Sequence, residues 1–152
     1  MYSDQIDELL SDVPGYVGVY PSNHILPPKH RPAAYVVNTA PVPDKYGGDH
    51  WVAIILKGGG KGEYFDSFGL PPIEHDISTF LGANCHTFTY STQRIQSRGS
   101  SVCGLYCVDY IRARLVDRTS KAKYLSMYKT DLKANDKLVV DRLSCLLSAR
   151  LL

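Results

Sequence analysis

The chain has 152 residues, of which 44% are hydrophobic and 21% are charged, and its formal net charge at pH 7 is +2. This length fits a single domain over residues 1–152, and so small a charge gives no reason by itself to expect a nucleic-acid partner. The sequence has no run of eighteen apolar residues for a membrane span, and its acidic first twelve residues lack the pattern of a secretory signal.

Hydrophobic periodicity predicts one helix and four strands in the first half of the chain. The helix, Ser3–Leu10, has its apolar residues on one face and is ended by Pro14 and Gly15. Residues 21–32, with four prolines, and residues 41–48 are expected to be loops. The predicted strands are Tyr16–Tyr20, Ala33–Asn38, Trp51–Leu56 and Glu63–Phe65.

The sequence KGGGKG, residues 57–62, predicts the turn of a β-hairpin between the third and fourth strands. It lacks the Lys-Ser/Thr pair that a phosphate-binding loop requires. If the hairpin folds about Gly58, His50 faces Asp66, with their side chains about 5 Å apart. A turn centred one residue later shifts this pairing. The hairpin thereby gives His50 a carboxylate partner that the other four histidines lack.

The second half of the chain predicts mainly helices. The longest lies within the segment from Gln93 to Leu115, whose second half has apolar residues at three- and four-residue steps. Gly99, Ser100 and Ser101 come before this helix, and a small hydroxyl residue there is expected to cap its first turn. The other predicted elements are a helix at Ile73–Leu81, a strand at His86–Tyr90, and helices at Thr119–Tyr128 and Asp136–Leu151.

Cys103 lies in or beside the opening turn of the long predicted helix. Unpaired backbone N–H groups and the positive end of the helix dipole favour the thiolate there, which is the nucleophilic form. A lone cysteine at a helix start is more often an ordinary small apolar residue. The nucleophile becomes the better interpretation if a base and an acid that orients the base lie nearby. His50 and Asp66 are candidates for these two roles.

Four motifs occur in an order and at a spacing that resemble the adenovirus protease family. They are HW at 50–51, FDSFG at 65–69, STQ-x-x-Q at 91–96 and SxxCGLYC at 100–107, and VVNTA at 36–40 extends the resemblance. Relatives of this family occur in other DNA viruses and in virus-like transposons, and the SUMO-specific proteases share its wider clan. The resemblance covers roughly Tyr16 to Ala113. It implies an α+β domain, in which a mixed or antiparallel sheet is flanked by helices and the catalytic cysteine begins a buried helix.

The resemblance also implies a role for each residue that matches a motif. His50 would be the base, Asp66 the orienting acid and Cys103 the nucleophile, while Gln96 would donate a hydrogen bond to the oxyanion. A neutral amide suits that last role because it stabilises the oxyanion without protonating it. Trp51 would line the substrate cleft, although a plain core position fits this residue equally well.

The activity implied by the resemblance is that of a cysteine endopeptidase. It would cleave viral precursor proteins at glycine-containing sites during virion maturation, in the host nucleus or the virion, without a cofactor for the chemistry. A protease for SUMO, ubiquitin or a similar modifier is a second hypothesis, since such substrates also end in Gly-Gly. A third is a catalytically silent binding protein or structural virion protein.

The cysteines and the basic residues bear on further partners. The four cysteines show neither zinc-ribbon spacing nor a secreted disulfide density, so we expect a reducing intracellular setting and no metal site. In the adenovirus enzyme a cysteine at the place of Cys85 forms a disulfide with an activating viral peptide, whereas an inert buried thiol is the alternative here. DNA, a cofactor of that enzyme, would contact the basic C-terminal half, for which a solvated face is the alternative explanation.

Overall fold

One mixed sheet and five α-helices make up the computed structural model, which describes residues 1–39 and 50–151. The loop predicted for residues 41–48 lies outside the described residues. The strands are β1 (Tyr16–Pro21), β2 (Ala33–Asn38), β3 (Trp51–Leu56), β4 (Lys61–Phe65) and β5 (Thr87–Tyr90). The helices are α1 (Ser3–Leu10), α2 (His75–Asn84), α3 (Cys103–Leu115), α4 (Lys121–Ser126) and α5 (Leu132–Leu151). These elements confirm the predicted α+β class.

The strands follow the chain order across the sheet, from β1 to β5. The two outer pairings, β1 with β2 and β4 with β5, are parallel, and the two inner pairings are antiparallel. Consequently the start of β3 lies at the same end of the sheet as the end of β4. In residues 1–39 and 50–151, no helix combines the length and hydropathy needed to cross a bilayer.

The two faces of the sheet pack against different helices because side chains alternate along each strand. On β3, Ala53 and Ile55 join the larger core formed with α1, α3 and α5, whereas Val52, Ile54 and Leu56 join a smaller core against α2. Helix α3 is buried along most of its length, as its apolar periodicity predicts. Its position beneath the sheet carries its first turn to the start of β3.

The turn between β3 and β4 differs from the prediction by one residue. Ala53 pairs with Phe65 and Ile54 with Tyr64, which centres the turn on Gly59 rather than on Gly58. Gly59 adopts a positive φ of 73°, a conformation that only glycine reaches without strain. The direct pairing of His50 with Asp66 is therefore wrong as a strand register, although the ladder ends before either residue.

Helices α2, α4 and α5 start at residues other than those predicted, each after a residue whose side chain caps the first turn, and α3 lacks its predicted cap. Helix α2 begins at His75 because Glu74 accepts a hydrogen bond from the Ile77 N–H at 2.8 Å. Helix α5 begins at Leu132 because Asp131 accepts one from the Ala134 N–H at 3.1 Å. The predicted serine cap of α3 is wrong, because Val102 occupies the N-cap position and no side chain bonds there.

Candidate active site

Three elements bring His50, Asp66 and Cys103 to one end of the sheet. His50 comes directly before β3, Asp66 directly follows β4, and Cys103 is the first residue of α3. His50 Nε2 lies 2.7 Å from Asp66 Oδ1, and the two side chains are 13% and 6% exposed. The Cys103 thiol lies close enough to the His50 ring for each group to shift the pKa of the other. Since Nε2 is engaged by Asp66, Nδ1 is the ring nitrogen left for the sulfur.

The surroundings of Cys103 favour its thiolate. Burial by itself raises the pKa of this thiol, but His50 and the backbone N–H groups of Trp51 and Gly104 more than offset burial, so the pKa is lowered. For His50, burial by itself lowers the pKa, while hydrogen bonds to Asp66 and Cys103 raise it to about 9. The interaction between these two groups lowers the pKa of the Cys103 thiol and raises the pKa of the His50 imidazole, as expected for a thiolate–imidazolium pair.

Phe68 covers the imidazole, a contact that the sequence analysis did not identify. Its ring stacks on that of His50 with centroids 4.6 Å apart and planes 25° apart. The Phe68 N–H also donates to Asp66 Oδ1 at 2.8 Å, and the Arg94 guanidinium lies 5.1 Å from the Phe68 ring centroid. The observed pairing of β3 with β4 accounts for this contact. If the same register is extended beyond the last strand pair, position 68 lies opposite position 50.

Gln96 is completely buried in the loop before α3. Its Nε2 donates to the carbonyl oxygen and to the hydroxyl of Ser100, each at 3.0 Å, and Ser100 stands three residues before Cys103. Nε2 thus has two acceptors on Ser100, and it must give up or share one of them to reach an oxyanion. The role predicted for Gln96 stays a prediction. Gln93, the other glutamine of the motif, instead donates to carbonyl oxygens of Leu125 and Tyr128.

Trp51 is half-buried and packs beside the first turn of α3. A Cβ atom at Gly104 would lie 3.4 Å from Trp51 Cδ1 and 3.2 Å from Met1 Sδ, so glycine allows this close approach. The indole therefore lies next to Cys103 and also contacts the core. Both of the interpretations offered for Trp51 are compatible with this position.

Cys85 lies at the other end of the sheet from Cys103. It caps α2 and precedes β5, whose first residue pairs with Lys61 at the start of β4. The thiol donates to the Leu81 carbonyl at 3.0 Å and borders a surface cavity of about 390 Å³. Burial raises its pKa, which keeps the less reactive thiol form at neutral pH. The disulfide with an activating peptide stays a prediction.

Four of the arginines in the basic C-terminal half are paired with acidic groups, among them Arg112 and Arg114. Arg112 binds Asp12, with Nη1 2.8 Å from Oδ1, and Arg114 forms a salt bridge with the buried Glu63. Neutralised in this way, both arginines contribute less to any DNA-binding face than their number in the sequence indicates. Contact with DNA stays a prediction for the remaining basic residues of this half.

We expect alkylation of Cys103 by iodoacetamide to stay fast at pH 6, where an ordinary thiol reacts slowly. The lowered thiol pKa gives Cys103 a larger thiolate fraction at that pH than an ordinary thiol has, and His50 stays protonated up to about pH 9. Any reaction in which His50 protonates a leaving group should slow above about pH 9, because His50 then has no proton to give. Rates measured from pH 5 to 10, with labelled sites read by mass spectrometry, test both statements. Equal labelling of Cys103 and the exposed Cys145 at pH 6 would contradict the expected fast alkylation of Cys103.

Comparisons with known proteins support the fold. No protein-family model and no curated protein matches this chain. Two solved structures of ChlaDUB1, an effector protein of Chlamydia trachomatis, match it. One has a TM-score of 0.57 and 17% identity, covering 77% of this chain and 56% of that one. The other has a TM-score of 0.50 and 19% identity, covering 68% and 49%.

A third match is the central domain of the Lpg1148 protein from Legionella pneumophila. Its TM-score is 0.50 at 14% identity, and the match covers 93% of this chain and 90% of that one. The present chain spans about half the length of the two ChlaDUB1 chains. At identities this low the likeness shows the fold alone, which is the α+β fold of the adenain- and Ulp-like cysteine proteases.

Proposed function

We propose that the protein is a cysteine peptidase in which Cys103 is the nucleophile, His50 the general acid and base, and Asp66 the residue that orients His50. The observation that carries the proposal is the contact of three side chains from three separate elements. Asp66 holds His50 Nε2 at 2.7 Å, and the imidazole lowers the pKa of the neighbouring Cys103 thiol. A structural role for Cys103 does not require this arrangement.

The residues of the site supply each proton transfer of the reaction. The Cys103 thiolate attacks the carbonyl carbon of the scissile bond, and the His50 imidazolium then protonates the departing amine, which leaves a thioester. His50 next removes a proton from a water molecule as that water attacks the thioester, and the acid product leaves as the Cys103 thiolate is released, which restores the thiolate–imidazolium pair. In this mechanism the Cys103 backbone N–H and Gln96 Nε2 hold the oxyanion. Asp66 keeps the imidazole ring in place throughout.

For the substrate, we infer a protein chain that is cleaved after glycine. The motif resemblance supports a viral precursor, cleaved in the host nucleus or in the virion. The fold likeness instead supports a ubiquitin-like modifier, since the name ChlaDUB1 contains the usual abbreviation for a deubiquitinating enzyme. Both substrate classes present glycine at the scissile bond, so the same chemistry serves either of them. The modifier class is the second candidate function.

The test is hydrolysis of fluorogenic substrates by the purified chain. Ubiquitin and SUMO with a C-terminal fluorogenic amide represent modifiers, and short peptides with Gly at the scissile position represent viral precursors. Each is assayed alone, with added DNA, and with candidate virion peptides that contain cysteine. The exposed Cys145 provides a matched control, because Cys145→Ala should retain the full rate. If no substrate is cleaved and Cys103 shows no preferential alkylation, the silent binding protein becomes the better hypothesis.

A further inference from the structure

Ser67, the residue directly after Asp66, contacts the side chain of Gln96. Its side chain is buried, with 1% of the residue exposed, and its Oγ donates to Gln96 Oε1 at 2.5 Å. Gln96 itself is 0% exposed. The contact joins the turn after β4 to the loop before α3, and these two segments carry two of the residues given roles above.

The partners of Gln96 determine which end of its amide points in which direction. The Ser100 carbonyl oxygen only accepts hydrogen bonds, so the amide end that faces it must be the NH₂ group. The opposite end is therefore Oε1, and the Ser67 hydroxyl must be its donor. Without that hydroxyl, the buried Gln96 Oε1 loses its hydrogen-bond donor. An unsatisfied buried acceptor costs free energy, which favours rotation of the amide to another orientation.

The backbone of Gln96 is held separately from its side chain. The Ser67 carbonyl oxygen accepts the N–H of Ile95 at 2.9 Å and the N–H of Gln96 at 3.1 Å. The Ile95 carbonyl oxygen accepts from Tyr106 Oη and Asn135 Nδ2, each at 3.1 Å. These bonds do not use the Ser67 hydroxyl. The hydroxyl can therefore be removed without breaking any of the bonds that hold the backbone of this loop.

We propose that Ser67 is a positioning residue, which keeps the Nε2 end of Gln96 directed towards Ser100 and the start of α3. The proposal rests on the proposed function, in which Gln96 is an oxyanion donor. Three consecutive residues then organise the reaction, because Asp66 holds His50, Ser67 holds Gln96, and Phe68 stacks on the imidazole. The turn after β4 thereby positions both His50, the acid–base group, and Gln96, the oxyanion donor.

The kinetic test is a double-mutant cycle of Ser67→Ala and Gln96→Ala. We expect Gln96→Ala to lower kcat about 100-fold and Ser67→Ala about tenfold, each with little change in KM. In the Gln96→Ala background, Ser67→Ala should cost nothing further, since it acts through that amide. Iodoacetamide alkylation of Cys103, which needs no oxyanion donor, should be unchanged. Additive losses, or slower alkylation in Ser67→Ala, would overturn the proposal.

A second measurement does not depend on hydrolysis. In ¹⁵N-labelled protein, the side-chain NH₂ signals of Gln96 are assigned by their loss in Gln96→Ala, and their hydrogen exchange is measured. Exchange at least tenfold faster in Ser67→Ala supports positioning by the hydroxyl, and unchanged exchange refutes it. If no substrate is cleaved, the proposed function fails while this measurement still decides the role of Ser67.

Ser22 offers a matched control for the loss of a buried hydroxyl. It is 2% exposed, and within the described residues its Oγ has no hydrogen-bond partner. Ser22→Ala should change neither kcat nor the exchange of the Gln96 amide. Thermal melting of all the variants checks that each has folded, and a loss of kcat in Ser22→Ala equal to that in Ser67→Ala would overturn the positioning role.

Discussion

Replacing Cys103 with alanine is expected to lower the rate of hydrolysis by roughly 10⁴- to 10⁶-fold. The side chain supplies the only atom that forms the covalent intermediate in the proposed mechanism, and alanine has no nucleophile. The fold should persist, because the change removes a single sulfur atom at the start of α3 and leaves the rest of that helix in the core. Initial rates on the best fluorogenic substrate and a thermal melt measure the two effects.

Two comparisons make this result specific to the nucleophile. Cys145→Ala should behave as the wild-type chain in both measurements, since Cys145 is exposed on α5. Titration with a thiol-reactive probe at pH 6 should label wild type at one site and Cys103→Ala at none. A Cys103→Ala variant with more than a hundredth of the wild-type rate would assign the nucleophile to another residue.

Replacing His50 with alanine should cost nearly as much rate as replacing Cys103. The imidazolium stabilises the thiolate and donates the proton to the leaving amine, so the thiol and the ring act as a unit. For the same reason the double variant His50→Ala with Cys103→Ala should be no slower than the slower single variant. In His50→Ala we also expect the thiol pKa of Cys103 to rise, which alkylation rates measured against pH will show.

Asp66→Asn provides the graded comparison for His50→Ala. An asparagine oxygen still accepts the hydrogen bond from His50 Nε2 but carries no charge, so we expect a milder loss than in His50→Ala. The pH above which hydrolysis declines should move below about 9, because the negative charge of Asp66 helps to raise the pKa of His50 and asparagine lacks that charge. A decline at unchanged pH in Asp66→Asn would remove Asp66 from the proposed triad.

The hairpin shows how a prediction can be correct in outcome and wrong in detail. Its two apolar strands and glycine turn were recognisable in the sequence, and the contact of His50 with Asp66 is present. The register was wrong by one turn position, since adjacent glycines can each take the positive φ that the turn needs. The contact exists because Asp66 lies beyond the last strand pair and reaches the imidazole from a turn.

The start of α3 shows what a sequence pattern does not reveal. Hydroxyl residues before a helix favour a cap, but Ser100 accepts a hydrogen bond from Gln96 instead. The competition between a local partner and a distant one depends on the tertiary fold. Ser67 and Phe68 were missed for the same reason: their motif was noticed, but their partners Gln96 and His50 lie 29 and 18 positions away. The sequence shows which residue types the motif contains, but it does not show which distant side chains they contact.

The three donors that stabilise the Cys103 sulfur also make the protein sensitive to oxidants. A thiolate is the form that hydrogen peroxide oxidises, and the contacts from His50, Trp51 and Gly104 give this sulfur a larger thiolate fraction than an ordinary thiol has. Stored without a reductant, the protein should lose titratable thiol at this position first, and dithiothreitol should restore it while oxidation has reached only the sulfenic acid.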